Sequence, residues 1–563
     1  MSSPILFLAS LLWLLAAVSS PADEGNRGAW GDQGNGTFKN PVLPGDFSDP
    51  DVIRVGGDYY FITSTFQYSP GMAVLHSKDL VNWEYLSHCI EDLTLMGPEL
   101  NWDRMNRYNR GIYAGTIRHH AGRFWVFWTS MDEGVFMTTA TNAAGPWAPV
   151  TRVWASQGWD DPAPFWDDDG QAYLILSNPG NTKDALGKWV PHLFKMSPDG
   201  KTIDPSSARV LDAFSTSEGN KLYKIDGTYY FFHNEYYRKQ NVRVGAMLRA
   251  KSLAGPWEKK IILADAPDRY DRQPNQGGLV QTEAGDWCFI THQGRGEIGA
   301  EYAHARRGDA DAATPRAMDQ TGTYDGRPSS LLPVKWVAGW PIPGAPDANG
   351  VGHLVWTAPK PVNGFPVLKL QSSDDFGAAK LAPQWEWNYQ PRAEKWSLTA
   401  RPGWLRLEAF APLVKGDFFK AGNTLTQRLL GTAGGTVEVK LDASGLADGQ
   451  LAGLVFFWKN DAQIGVVQQA GQRHVMFSEN GVLTEGPELP AGNLAWVRAE
   501  IDDQGGCVFA YSLDGKTFTP IGRRFVFGWH NYRGTRLGLF TYNDQGDHGR
   551  VDFNHFRYDY KFR

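Results

Sequence analysis

The chain has 563 residues, 42% of them hydrophobic and 21% charged, with a net charge of -6. That length exceeds what one hydrophobic core supports and implies two or more domains. The mild negative charge leaves no basic footprint for nucleic acid. Glycine (62), tryptophan (23) and tyrosine (21) are plentiful, a mixture of tight turns and aromatic strands that leans toward an all-β fold. Pro4–Val18 is an uncharged apolar run, followed by small residues up to Ala22. Its length suits a secretory signal and is short for a membrane span. Residues 1–22 are therefore expected to direct export, to the periplasm or the medium, with no membrane attachment after their removal. Cys89, Cys288 and Cys507 are odd in number and widely spaced, which fits neither a disulfide scaffold nor a zinc motif.

From Asn40 to about Trp340 one phrase recurs: an apolar stretch, a polar turn ending in glycine, then an aromatic strand. It reads VIRVGGDYYFITS from Val52, IRHHAGRFWVFWTS from Ile117 and PFWDDDGQAYLILS from Pro164. It returns as LYKIDGTYYFFHN from Leu222 and LVQTEAGDWCFITH from Leu279. Each is a hairpin signal, with turn glycines at 57, 122, 170, 227 and 285. A second hairpin phrase follows several copies, as in HSKDLVNWE (His76–Glu84) and LRAKSLAGPWEK (Leu248–Lys259). Two hairpins per copy make a four-stranded unit, and five copies predict a five-bladed β-propeller over residues 38–345.

The repeat register singles out residues that composition does not. Asp161 lies nine residues before Gly170, and Glu218 nine before Gly227. Asp49 lies eight before Gly57, where the turn reads one residue shorter. The same count reaches Gln276 in the fifth copy and Tyr113 in the second. If the strands that follow are innermost, three carboxylates converge on the propeller axis. Crowded carboxylates push one another's pKa values apart, so one can stay ionised while another holds a proton. Glycoside hydrolysis needs such an acid and base. Asp167-Asp168-Asp169-Gly170, the densest acidic stretch, reads as turn chemistry, and Asp160 as a neighbour at the start of the strand.

The stretch NPVLPGDFSDPD (Asn40–Asp51), with Thr63-Ser64-Thr65-Phe66 and HSKDLVNW (His76–Trp83), resembles glycoside hydrolase family 43. The resemblance covers nearly the whole chain beyond the signal. It implies a propeller enzyme that inverts the anomeric centre and acts on β-xylosides and α-L-arabinofuranosides of hemicellulose. By position, Asp49 resembles the general base, Glu218 the general acid and Asp161 the carboxylate that tunes that acid. Arg295, in the stretch Thr291-His292-Gln293-Gly294-Arg295, resembles an arginine that contacts sugar hydroxyls. His292 and Gln276 are expected beside the substrate. Phe66 and Trp159 are the aromatics expected to stack on sugar. Relatives carry a histidine on the fifth-copy strand, at a central water or calcium site. Gln276 stands there instead, which argues against a tightly bound central cation and leaves an oxygen-rich structural calcium open. No cofactor is required by this reading, and no metal ligands are assigned.

Beyond the repeat, residues 346–370 read as a Pro-rich linker. Residues 371–563 alternate apolar and polar positions, as in TVEVKLD and WVRAEID, which suits an antiparallel β-sandwich. This half resembles the concanavalin-like jelly roll of family xylosidases, with bracing the propeller or lending it a loop favoured over carbohydrate binding. The function expected is a secreted exo-glycosidase on terminal β-D-xylosyl or α-L-arabinofuranosyl residues, with an oligo- or polysaccharide as partner. Two alternatives are a non-catalytic sugar-binding protein and a retaining fructosidase-type hydrolase. The second would need an Asn-Asp-Pro-Asn-Gly opening and a Glu-Cys motif that this chain lacks.

Overall fold

The computed structural model describes residues 30–178, 189–213, 216–237, 242–265, 274–293, 326–431, 434–530 and 532–561. The expected signal segment and Arg295 lie outside them. Regular structure among the described residues is strand, apart from four single 3-10 turns. None of their helices is long and apolar enough to cross a membrane.

Five successive sheets follow the five copies of the repeat, each built on four antiparallel strands, and the fourth gains two further short strands from residues 345–353 to make six. Their first strands are Asp51–Val55, Thr116–His120, Asp160–Trp166, Ser217–Ile225 and Gly277–Gln281. These first strands pack in a ring: the first sheet's touches the second's and fifth's, the second's touches the third's, and the third's touches the fourth's. Tyr223 of the fourth closes the circle by accepting the Leu279 N–H of the fifth at 2.9 Å. Large apolar side chains fill the space between neighbouring sheets. Ile62, Val74, Ile117 and Trp128 lie between the first and second, and Phe232, Met247, Leu279 and Phe289 between the fourth and fifth. This is the all-β propeller that the repeat predicts. Residues from the expected linker also form strands: Gly352–His353 joins the outer edge of the fourth sheet, and Thr357–Pro359 pairs with Thr37–Lys39.

The C-terminal half packs a seven-stranded sheet on an eight-stranded one. The alternation read in TVEVKLD is realised in Gly435–Asp442, where Val437, Val439 and Leu441 face the core. The eighth strand of the larger sheet is Tyr68–Ser69 of the propeller, paired with Trp387 and Asn388. The two halves therefore share backbone hydrogen bonds. They also share a buried ion cluster. Glu386 accepts 2.7 Å bonds from Arg428 and from Arg536, and none of the three is more than 2% exposed. Arg428 Nε donates to the Asp46 carbonyl at 2.9 Å, with its guanidinium over the Phe47 ring. Burial alone would raise the Glu386 pKa, but the two guanidiniums hold it well below the ordinary range. Removing one member of a buried ion pair strands its partners' charge. Glu386→Ala should therefore lower stability by about 3–5 kcal/mol, read as a lower melting temperature.

Candidate active site

The carboxylates picked out by the repeat stand just before or within the first strands, at one end of the ring. Asp49 and Asp161 are 5% and 4% exposed. Both adopt left-handed backbone, with φ of 55° and 49°, and each precedes a proline, which disfavours helical backbone at that position. Such strain is a mark of positions that the surroundings over-determine. Strand pairing shifts between Asp160 and Ala163, and again between Glu218 and Lys221. These bulges re-aim the side chains at the ends of the third and fourth sheets.

Asp49 is held from every side. Its Oδ1 accepts Arg327 Nη1 at 2.7 Å, and its Oδ2 accepts Arg327 Nη2 at 2.9 Å and Ser64 Oγ at 2.7 Å. Burial would raise its pKa, but the Arg327 charge and these hydrogen bonds overturn that and hold it below the ordinary range. Asp49 is therefore an ionised carboxylate whose Oδ1 still has a lone pair free. Its N–H donates to His292 Nδ1 at 3.0 Å. His292 Nε2 is 3.0 Å from Asn275 Oδ1, which also accepts the Gln276 N–H at 2.7 Å. The only consistent tautomer carries its proton on Nε2. Burial and the nearby Arg327 charge push His292 down to about 3, so the ring is neutral. Both its nitrogens are committed to protein groups, and it positions the Asp49 backbone.

Asp161 faces Glu218 across adjacent first strands. Its Oδ2 accepts the Gly219 N–H at 2.6 Å, and its Oδ1 accepts Gln276 Nε2 at 3.2 Å. Gly219 has φ of +76°, and a Cβ there would lie 2.6 Å from the Asn234 side chain. Glycine thus fits the strand against Asn234 in the backbone conformation that presents the Gly219 N–H to Asp161. Burial first, then the Glu218 charge, pushes Asp161 up to about 7. Glu218, with its side chain 16% exposed, has Oε1 at 3.4 Å from Arg243 Nε. Arg243 in turn lies over the Tyr236 ring.

Two groups passed over in the sequence belong to this site. Asp160 Oδ1 accepts the Asp161 N–H and Thr129 Oγ1, each at 2.9 Å. Burial, then the charges of Asp161 and Glu218, raise it well above the carboxylate range, so it brings a neutral O–H into the cluster. Arg327 is the second. Gly326 before it has φ of +85°, and a Cβ there would lie 2.4 Å from Asp46, so glycine lets this segment lie against the base's loop. The sandwich reaches the same place. Tyr532 O accepts Arg327 Nε at 3.3 Å, and Arg533 Nε donates to Asp46 Oδ2 at 2.6 Å.

The expected aromatics are largely covered. Phe66 is 1% exposed, beneath the Arg533 guanidinium and edge-on to Tyr113. Trp159 is 8% exposed and packs among Trp154, His192 and Phe194. Tyr532, 48% exposed and beside Arg327, is the aromatic here most open to a sugar. Gln276 is spent on Asp161.

Buried carboxyls split between ionised and protonated forms equip a site for proton transfer at a glycosidic oxygen. Residues 38–341 match the glycosyl hydrolases family 43, and residues 373–559 the beta xylosidase C-terminal concanavalin A-like domain. The chain belongs to glycoside hydrolase family 43. It is 36% identical to a beta-xylosidase of Formosa agariphila, over 99% of this chain and 97% of that protein. It is 32% identical to a non-reducing end alpha-L-arabinofuranosidase of Bacteroides ovatus, over 67% of this chain and 65% of that one. A solved family 43 structure from Bacillus licheniformis superposes with a TM-score of 0.75 at 26% identity, covering 93% of this chain and 99% of its own.

The geometry of this family 43 glycosidase makes a direct prediction. Asp161 should titrate near 7, seen by carboxyl carbon NMR or infrared difference spectra. In Glu218→Gln that midpoint should fall, because the neighbouring charge is gone, yet stay above the ordinary value, because burial remains.

Proposed function

We propose that the enzyme is a secreted, inverting exo-glycosidase that removes terminal β-D-xylosyl or α-L-arabinofuranosyl residues from hemicellulose. The observation that carries the mechanism is the contrast between Asp49, ionised under Arg327, and Asp161, which burial and its neighbour Glu218 push up to about 7. Asp49 Oδ1 takes the proton of the attacking water. Glu218, the carboxyl open to solvent beside Asp161, delivers a proton to the leaving oxygen. Asp161 orients the acidic strand through the Gly219 N–H and keeps a proton in the cluster at working pH. Arg327 holds the base ionised and presents its remaining donor capacity to sugar hydroxyls. Inversion is supported by the placement of base and acid on first strands that are not neighbours. Such a gap leaves room for water, with carboxyls roughly 6.5–9.5 Å apart in inverting enzymes.

The substrate class comes from the relatives: one is named a beta-xylosidase along nearly the whole of both chains, and another a non-reducing end alpha-L-arabinofuranosidase over 67% of this chain. Export is inferred from the apolar Pro4–Val18 run. Nitrophenyl β-D-xyloside and nitrophenyl α-L-arabinofuranoside test the reading, and release of nitrophenol from neither contradicts it. Glu218→Ala should lower kcat/KM about 10²–10⁴-fold on xylo-oligosaccharides. The loss should be smaller on aryl glycosides, whose leaving groups need less help from an acid. An unchanged rate on both refutes Glu218 as the acid.

A further inference from the structure

Lys221 is a buried cation that the mechanism above does not use. It stands on the fourth first strand, three residues after Glu218, and is 0% exposed. Its ammonium makes no direct ion pair or hydrogen bond among the described residues. The charges that act on it are Asp51 and Asp49 of the first sheet, Arg118 of the second and Asp161 of the third. Lys221 shares a strand face with Tyr223, two residues on, which reaches Arg118 of the second sheet and the Leu279 N–H of the fifth, so this face of the innermost strand is turned to the propeller axis. The surrounding groups are accounted for. Asp51 Oδ2 accepts Arg118 Nη1 at 2.7 Å and the Ile117 N–H at 2.9 Å, while Oδ1 has no donor among the described residues. Tyr223, on the same strand as Lys221, lies under Arg118. The fifth sheet contributes Gln276 and neutral His292.

Calcium would need these carboxylate oxygens, but Lys221 and Arg118 already stand among them, and repulsion from both opposes a divalent cation. The axis instead holds two cations of the chain itself. The same device occurs on the outer side of the fourth sheet. There Asp212, His233 and Glu235 converge with metal-ligand spacing, and Lys259 Nζ occupies them at 2.9 Å from Asp212 and 2.5 Å from Glu235. We propose that Lys221 is the resident cation of the propeller axis, a positioning residue that sets the charge of the catalytic carboxylates in place of a divalent metal. Burial pushes its ammonium below the ordinary lysine range, and Asp51 and Asp161 oppose that shift. In return Lys221 lowers Asp161 against burial and Glu218.

The proposal rests on Asp49, Asp161 and Glu218 being the reacting groups, and it is tested in two ways. In Lys221→Met, the alkaline limb of the kcat/KM–pH profile should move up by roughly one unit, the scale of one nearby charge. Loss of a positive charge makes each neighbouring carboxyl easier to protonate. A folded variant whose profile superposes on the parent's overturns the proposal. The second test uses the parent enzyme alone and holds even if the variant does not fold. Its melting temperature and activity should be unchanged by EDTA and by added calcium. A drop with EDTA that calcium restores overturns the proposal. Failure of the catalytic reading would show separately, as full activity in Glu218→Ala.

Discussion

Four carboxyl groups, Asp49, Asp160, Asp161 and Glu218, are gathered at one end of a ring of strands and largely withdrawn from water. Their mutual repulsion is the constraint around which this structure is arranged. Carboxylates in a low-dielectric setting cannot all be ionised unless cations or donors offset each charge. The chain solves this differently at each position. Asp49 receives a bidentate arginine and a serine hydroxyl. Asp161 receives a backbone N–H and a glutamine, with Lys221 nearby. Asp160 is held up and neutral. The outcome is one firmly ionised carboxylate and one cluster that keeps a proton near neutrality, a division that suits glycoside hydrolysis.

That division depends on a second domain that contributes no carboxylate to the chemistry. Asp46 lies three residues before Asp49. It accepts Arg533 from the sandwich, abuts Gly326 and accepts the Arg327 N–H at 3.3 Å. Its carbonyl accepts Arg428, which is anchored on Glu386. The sandwich thus fixes the loop that carries Asp49 and the segment that carries Arg327. Bracing and contact with the site coincide here, because the same arginines that join the domains also hold the loop of Asp46 and Asp49.

Much of this was legible in the sequence, for identifiable reasons. Hairpin phrases repeat because each sheet must bury the same faces against its neighbours, so turn glycines mark the register. The count of nine nevertheless arises in two ways. In the fourth sheet Glu218 precedes a two-residue turn at Asp226-Gly227. In the third sheet Asp161 lies two residues nearer the end of its strand, and a five-residue loop, 167–171, restores the count. The sequence reads Asp160 only as a neighbour at the start of its strand, because its part in the cluster depends on burial beside Asp161, which no spacing reveals. Arg327 was missed because it lies beyond the repeat phrase of the fifth sheet, and only folding brings it to Asp49, 278 positions away. Gly-Arg before the Ser329–Val337 strand, a positive-φ residue followed by a guanidinium, was the available signal. His292 and Gln276 lie beside Asp49 and Asp161, and their hydrogen bonds go to protein groups.

The central claim is that a base and an acid act from opposite sides of the sugar with a water between them. Proton NMR of the first sugar released from a β-D-xyloside tests it most directly. The account predicts that α-xylose appears first and then mutarotates. Initial release of β-xylose would contradict it.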